Sequence, residues 1–210
     1  MAKLKAPLLS LGASQQLGKT LVFFSWKGIN AVREYVIPTN PKTPLQTTQR
    51  GYITGAVAKV HEVQGLAAYP LQAADQVAYS ALATAKGLIM TWFNQVVKLW
   101  LDVKVAGRVP IIYCVGQAVN TARATLDITA QIEEETPTTL ADGHFYLGLS
   151  KTNLIHSFVA SVVAGDYVNM TGQDITSWAS VGDKIFWQFR PDATDPCQGA
   201  DSGIYSFVAT

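Results

Sequence analysis

Several groups of residues have types that could do chemistry. Gly12 to Thr20 reads Gly-Ala-Ser-Gln-Gln-Leu-Gly-Lys-Thr, close to a phosphate-binding loop. That motif places four residues between its glycines and a helix behind the loop, whose first amides hold the phosphate. Here five residues intervene and the strand-like run Leu21-Val22-Phe23-Phe24 follows, so no nucleotide site is expected. His61, His144 and His156 lie far apart, with no HExxH or paired-Cys spacing, and so do not spell a zinc site. His144 and His156 could meet on adjacent strands near Asp142, but a histidine on a strand surface is the commoner case. Asp192, Asp195 and Asp201 could gather a calcium ion, yet their spacing fits no calcium loop. Cys114 and Cys197 lack the partners of a catalytic thiol and are expected as free thiols. Glu133-Glu134-Glu135, followed by Thr136-Pro137-Thr138, reads as a solvated loop. These residues indicate no catalytic group, metal or cofactor, and the chain reads as a non-enzyme.

Recognition is better represented. Lys27, Arg33, Lys42, Arg50 and Lys59 form a basic stretch interleaved with Trp26 and Tyr35. Nucleic-acid binding needs such a footprint, but the basic density is modest and no known module matches. An acidic protein surface is the expected partner, with Trp26, Arg33, Tyr35, Lys42 and Arg50 as docking residues. Trp178, Trp187 and Tyr205 are the second set, as core of a β-domain or as a surface for glycan or a host.

The charge pattern bears on partners. The 210 residues carry 16 Lys+Arg against 15 Asp+Glu, a formal charge of +1. Residues 1–110 hold twelve basic and four acidic residues, residues 111–210 four basic and eleven acidic. This asymmetry suggests two domains, and adjacent copies could attract through it. A charged fraction of 15% with 49% apolar residues excludes a disordered chain and suggests surface covered by neighbours. Met1 to Gly12 imitates a basic signal start, but Pro7 and then Ser14, Gln15 and Gln16 break the apolar run, so export by this route is not expected. Leu88 to Val103 contains Asn94, Gln95, Lys98 and Asp102 and reads as a packed helix, not a membrane span.

The elements that position these residues follow from periodicity. Residues 1–18 read as an extended arm. Thr20 to Trp26 and Ile29 to Ile37 flank Lys27-Gly28 as a hairpin, and Pro38 and Pro41 end it. Thr43-Pro44-Leu45-Gln46 opens a helix whose apolar face is Ile53, Val57 and Val60. Two more helices are predicted, from about Leu71 to Lys86 and around Trp92 to Val103. Trp92, Val96, Leu99 and Val103 share one face of the last helix and Phe93 and Trp100 another, so it is expected to be buried on more than one side. Beyond Gly107, strands are predicted at 109–115, 122–130, 144–149, 155–163, 184–189 and 203–208. The expected fold is α+β: arm (1–18), hairpin and three-helix docking domain (19–106), then an antiparallel β-sandwich of immunoglobulin or fibronectin type (107–210).

Residues 26–50 also resemble a pattern of small structural proteins of tailed phages and prophages. Its features stand here as Lys27-Gly28, Arg33-Glu34-Tyr35-Val36 and the NPxTxxQ stretch Asn40-Pro41-Lys42-Thr43-Pro44-Leu45-Gln46, continuing to Arg50. Trp92-Phe93-Asn94 resembles a later part of the same pattern, while the Trp usual between the helices is missing, with Tyr79 in its region. The resemblance covers about the first hundred residues. It implies a virion component, made in the host cytoplasm, whose partners are other virion proteins and copies of itself. It implies no activity.

Overall fold

In the computed structural model the chain is described over residues 2–3, 15–17, 20–37, 42–136, 139–163 and 165–210. These residues form three helices and three antiparallel sheets, an α+β protein. Contacts divide the chain into two compact units, Met1–Pro44 and Leu45–Thr210.

The first unit is one sheet of four strands: β1 (Ala2–Lys3), β2 (Gln15–Leu17), β3 (Leu21–Trp26) and β4 (Ile29–Glu34), in the order β1-β4-β3-β2. β3 and β4 are the expected hairpin. Lys27 and Gly28 form a two-residue turn with φ of 49° and 76°, the doubly left-handed geometry that matches strand twist. The expected arm is corrected where it is described. Residues 2–3 pair with β4 and 15–17 with β3, because hairpin edges carry backbone groups that need partners. The rest of that arm, and Asn40-Pro41 of the NPxTxxQ stretch, lie outside the described residues.

The second unit holds α1 (Pro44–Gln64), α2 (Ala73–Ala85) and α3 (Trp92–Val105). Two sheets follow. One contains β5 (Ile111–Asn120), β6 (Leu126–Glu134), β9 (Ser161–Val163) and β10 (Tyr167–Gln173), in the order β5-β6-β10-β9. The other contains β7 (Gly143–Gly148), β8 (His156–Val159), β11 (Lys184–Pro191) and β12 (Tyr205–Val208), in the order β12-β11-β7-β8. Both sheets feed one apolar core. Ile128, Ala130 and Val168 of the first join Phe145, Trp187 and Phe189 of the second, with Phe145 and Phe189 edge to face at 5.3 Å.

The helices share that unit. β5 is buried on both faces at its start: Ile111 and Tyr113 face the sheet core, while Ile112 and Cys114 join Val60, Leu82 and Trp100 of the helices. The boundary expected at 104–109 is therefore not where the compact units divide; the division falls at 44/45 because the helices need β5 to cover their apolar faces. α1 also packs through a different stripe. Ala56, Val60 and Val63 are buried, whereas Ile53 is exposed. At Gly55 an added Cβ would stand 3.6 Å from Trp100, so small residues bring α1 close to α3. α3 is buried on two sides as expected, Val103 in the sheet core and Trp100 among the helices.

The opposite charges of the two halves meet inside this unit. Lys59 lies 3.8 Å from Glu133, Lys86 lies 3.9 Å from Asp201, and Lys104 pairs with Glu135. Basic helices and acidic strands thus partly neutralise each other within one copy. Glu134 is no loop residue: it is buried and accepts the amides of Thr139 at 2.6 Å, Leu140 at 3.3 Å and Gly165 at 3.4 Å.

Candidate functional site

On the β3–β4 hairpin, directly opposed residues share a face. Trp26 opposes Ile29, Phe24 opposes Ala31 and Val22 opposes Arg33, so one face carries Trp26, Ile29, Phe24 and Arg33 together. Trp26 is 56% exposed and Ile29 42%. The Arg33 guanidinium lies over the Phe24 ring at 5.4 Å, a cation–π contact made by a residue that stays exposed. The Tyr35 amide donates to the Thr20 carbonyl at 2.8 Å, extending the ladder past β4. Exposed Val36 and Ile37 follow. Lys42 belongs to the same unit, with φ of 46°. Arg50 is on α1, in the second unit. Of the five expected docking residues, the structure thus brings Trp26 and Arg33 onto one surface, joined by Ile29 and Phe24, which sequence reasoning did not select. Their signal was the alternation around Lys27-Gly28.

The second expected set is corrected. Trp187 and Tyr205 are buried, stacked at 4.5 Å on β11 and β12, because inward positions of the sheet fill the core. They offer no open platform. Trp178 is half-buried and its indole stacks on His156 at 4.0 Å, so a histidine already covers one ring face.

The residues weighed as ligands separate. His144 and His156 do lie on the paired strands β7 and β8, but His156 opposes Leu147, three positions from His144, and His144 Nδ1 lies 2.7 Å from Asp192. Asp195 accepts the amides of Ala141, Asp142 and Cys197 at 2.9, 3.1 and 2.7 Å, and Asp201 faces Lys86. Among the described residues no group of three or more His, Cys, Asp or Glu is placed to hold a metal ion. Cys114 and Cys197 are buried free thiols. Burial first, then nearby carboxylates (Asp75 for Cys114, Asp195 for Cys197), pushes each up to about 12, which keeps both in the unreactive thiol form.

A buried polar cluster ties α2 to the strands. The Asp75 carboxylate accepts the Gln72 amide at 2.7 Å, the Val115 and Gly116 amides at 3.1 and 3.2 Å, and the Tyr205 hydroxyl at 2.8 Å. Val115, with φ of 51°, and Gly116 sit where the β5–β6 register slips, so the carboxylate satisfies amides that a bulge sets free. One turn on, the Tyr79 hydroxyl donates to the Tyr113 carbonyl at 3.1 Å and accepts its amide at 3.0 Å. Two helix side chains thus stand where a neighbouring strand would.

Beside this cluster lies a cavity of about 640 Å³. Among the described residues no helix is long and apolar enough to cross a membrane. The chain matches no family model, no curated protein and no solved structure.

Proposed function

We propose that the chain is a non-enzymatic structural subunit of a tailed-phage or prophage particle, a head decoration, neck or tail component, docked on other virion proteins through its first unit. The observation that carries this reading is the hairpin face of Trp26, Ile29, Phe24 and Arg33. Trp26, Ile29 and Arg33 are exposed on it around half-buried Phe24, and it is set in a unit with six basic residues against one acidic. Exposed aromatic and Arg anchors are the residue types that dominate interfaces, and the surrounding cations suit an acidic partner surface, setting register and approach more than affinity. The resemblance of residues 26–50 to phage structural proteins supports the same assignment. Attraction between the basic and acidic halves of adjacent copies loses support, since Lys59, Lys86 and Lys104 pair within the chain.

In this reading the two sheets of the second unit form an immunoglobulin- or fibronectin-type sandwich that projects from the particle. Glycan recognition through Trp187 and Tyr205 is not retained, because both are core. Quantitative mass spectrometry of purified particles tests the proposal: a fixed copy number per particle is expected, and absence from the particles refutes it.

A further inference from the structure

The 640 Å³ cavity lies where α2, β5 and β12 converge. Ligand sites commonly measure about 300–1,000 Å³. Its size follows from sequence. α2 turns Ala74 and Ala81 toward it, where leucines would fill the space, and β5 contributes Gly116 and Ala118. Alanine at 78 has another cause, since a Cβ on Gly203 would already stand 2.8 Å from it. The cavity is open to water: its apolar lining residues Val77 and Leu149 are 69% and 51% exposed. The charged groups lining it are Lys151 and Lys184, with no carboxylate. Neither lysine forms an ion pair among the described residues, and the Lys184 ammonium lies 5.5 Å over the Phe186 ring, which also lines the cavity. Asp75 is not among the lining residues; it is buried and bonded to four donors, which offset part of its negative charge.

An apolar chamber whose lining charges are both cations selects for an apolar body with one anionic head. We infer that this cavity binds a small carboxylate with an aromatic or branched body, the body against Val77, Phe186 and Ile204 and the head at Lys151 and Lys184. The inference concerns the second unit alone and stands or falls separately from docking by the first.

The probe is anilinonaphthalene sulfonate, an apolar ring system with one anionic head, titrated by fluorescence into the full chain. One saturable site is expected. Lys151→Ala with Lys184→Ala, both at the rim, should weaken it about tenfold or more, the equivalent of one lost charge-assisted contact. Ala81→Phe, which fills the chamber, should remove it. Phenylpropionate should displace the probe at least tenfold better than phenylpropanol, which has the same body without the charge. A blocked tripeptide ending in phenylalanine presents the same acid on a chain end, and tenfold tighter binding of that peptide would overturn the small-molecule assignment. Non-saturating fluorescence, an unchanged Kd in the lysine variant, or equal displacement by acid and alcohol would overturn the site itself.

Discussion

The Asp75 carboxylate accepts the Tyr205 hydroxyl at 2.8 Å across 130 positions of sequence. One residue at the start of α2 thereby fixes the helix to β12, and through the Val115 and Gly116 amides to β5. A buried carboxylate is tolerable only when its lone pairs are filled, and four donors fill these.

Asp75→Asn replaces two acceptor oxygens by one and turns an NH₂ group toward donors. Unsatisfied buried donors cost about 1–3 kcal/mol each, so a loss of about 3 kcal/mol or more is expected in urea unfolding. Tyr205→Phe removes one donor of four and should cost about 1 kcal/mol. An Asp75→Asn midpoint within error of the wild type would show that the cluster does not hold the helix.

Gly116 allows the Tyr205 ring to lie against β5. A Cβ there would stand 2.3 Å from Tyr205 Cζ, and the ring cannot retreat because its hydroxyl is anchored on Asp75 and its face on Trp187. Gly116→Ala should therefore destabilise by about 3 kcal/mol. Combined with Tyr205→Ala, much of that loss should disappear, a coupling that a double-mutant cycle reads directly.

Alkaline pH should unfold the protein steeply. Burial raises the Tyr79, Tyr113 and Tyr205 phenols above their ordinary 10.0, and raises the Cys114 and Cys197 thiols from 9.0 to about 12. Each group therefore loses its proton first in the unfolded chain. Stability from these groups is fully present below pH 9 and falls as pH rises through 9 and 10, by up to about 1.4 kcal/mol per pH unit for each group titrating in the unfolded state alone. Urea midpoints at stepped pH check the slope. In the native state at pH 8 neither thiol should react with a thiol-specific disulfide reagent, and both should react in urea.

Much of this was legible in the sequence, and the omissions have physical causes. Lys27-Gly28 between runs of strand formers marked the hairpin, and Thr43-Pro44 with Gly87 and Gly107 bracketed the helices. β10 was missed because only Val168 and Met170 turn inward, too few positions for alternation to show in Tyr-Val-Asn-Met-Thr-Gly-Gln. The compact units divide at 44/45 and not at the expected 104–109, since β5, apolar on both faces from Ile111 to Cys114, serves the helices and the sheets together, a dual role that only tertiary contacts disclose. Glu134 reads as a loop residue and Asp195 as a weak calcium candidate because their amide partners come from irregular backbone, and nothing local marks Asp75, whose partners on β5 and β12 are distant in sequence. Trp187 and Tyr205 were legible as aromatic, but which way a strand presents its alternate residues depends on where the second sheet lies.

Docking should depend on the hairpin face without depending on stability. Trp26→Ala and Arg33→Glu change exposed residues, so each should leave the unfolding midpoint within about 0.5 kcal/mol of the wild type while reducing incorporation into particles about tenfold. Equal incorporation of both variants would remove this face from the interface.

Photo-crosslinking from inside assembled particles tests docking by the first unit most directly. A photoreactive residue at Ile29, on the Trp26 face, is compared with one at Val181, exposed on the second unit. The expected result is a discrete crosslink from position 29 to another virion protein and none from position 181. Crosslinks from 181 alone, or a chain absent from the particles, would contradict the account.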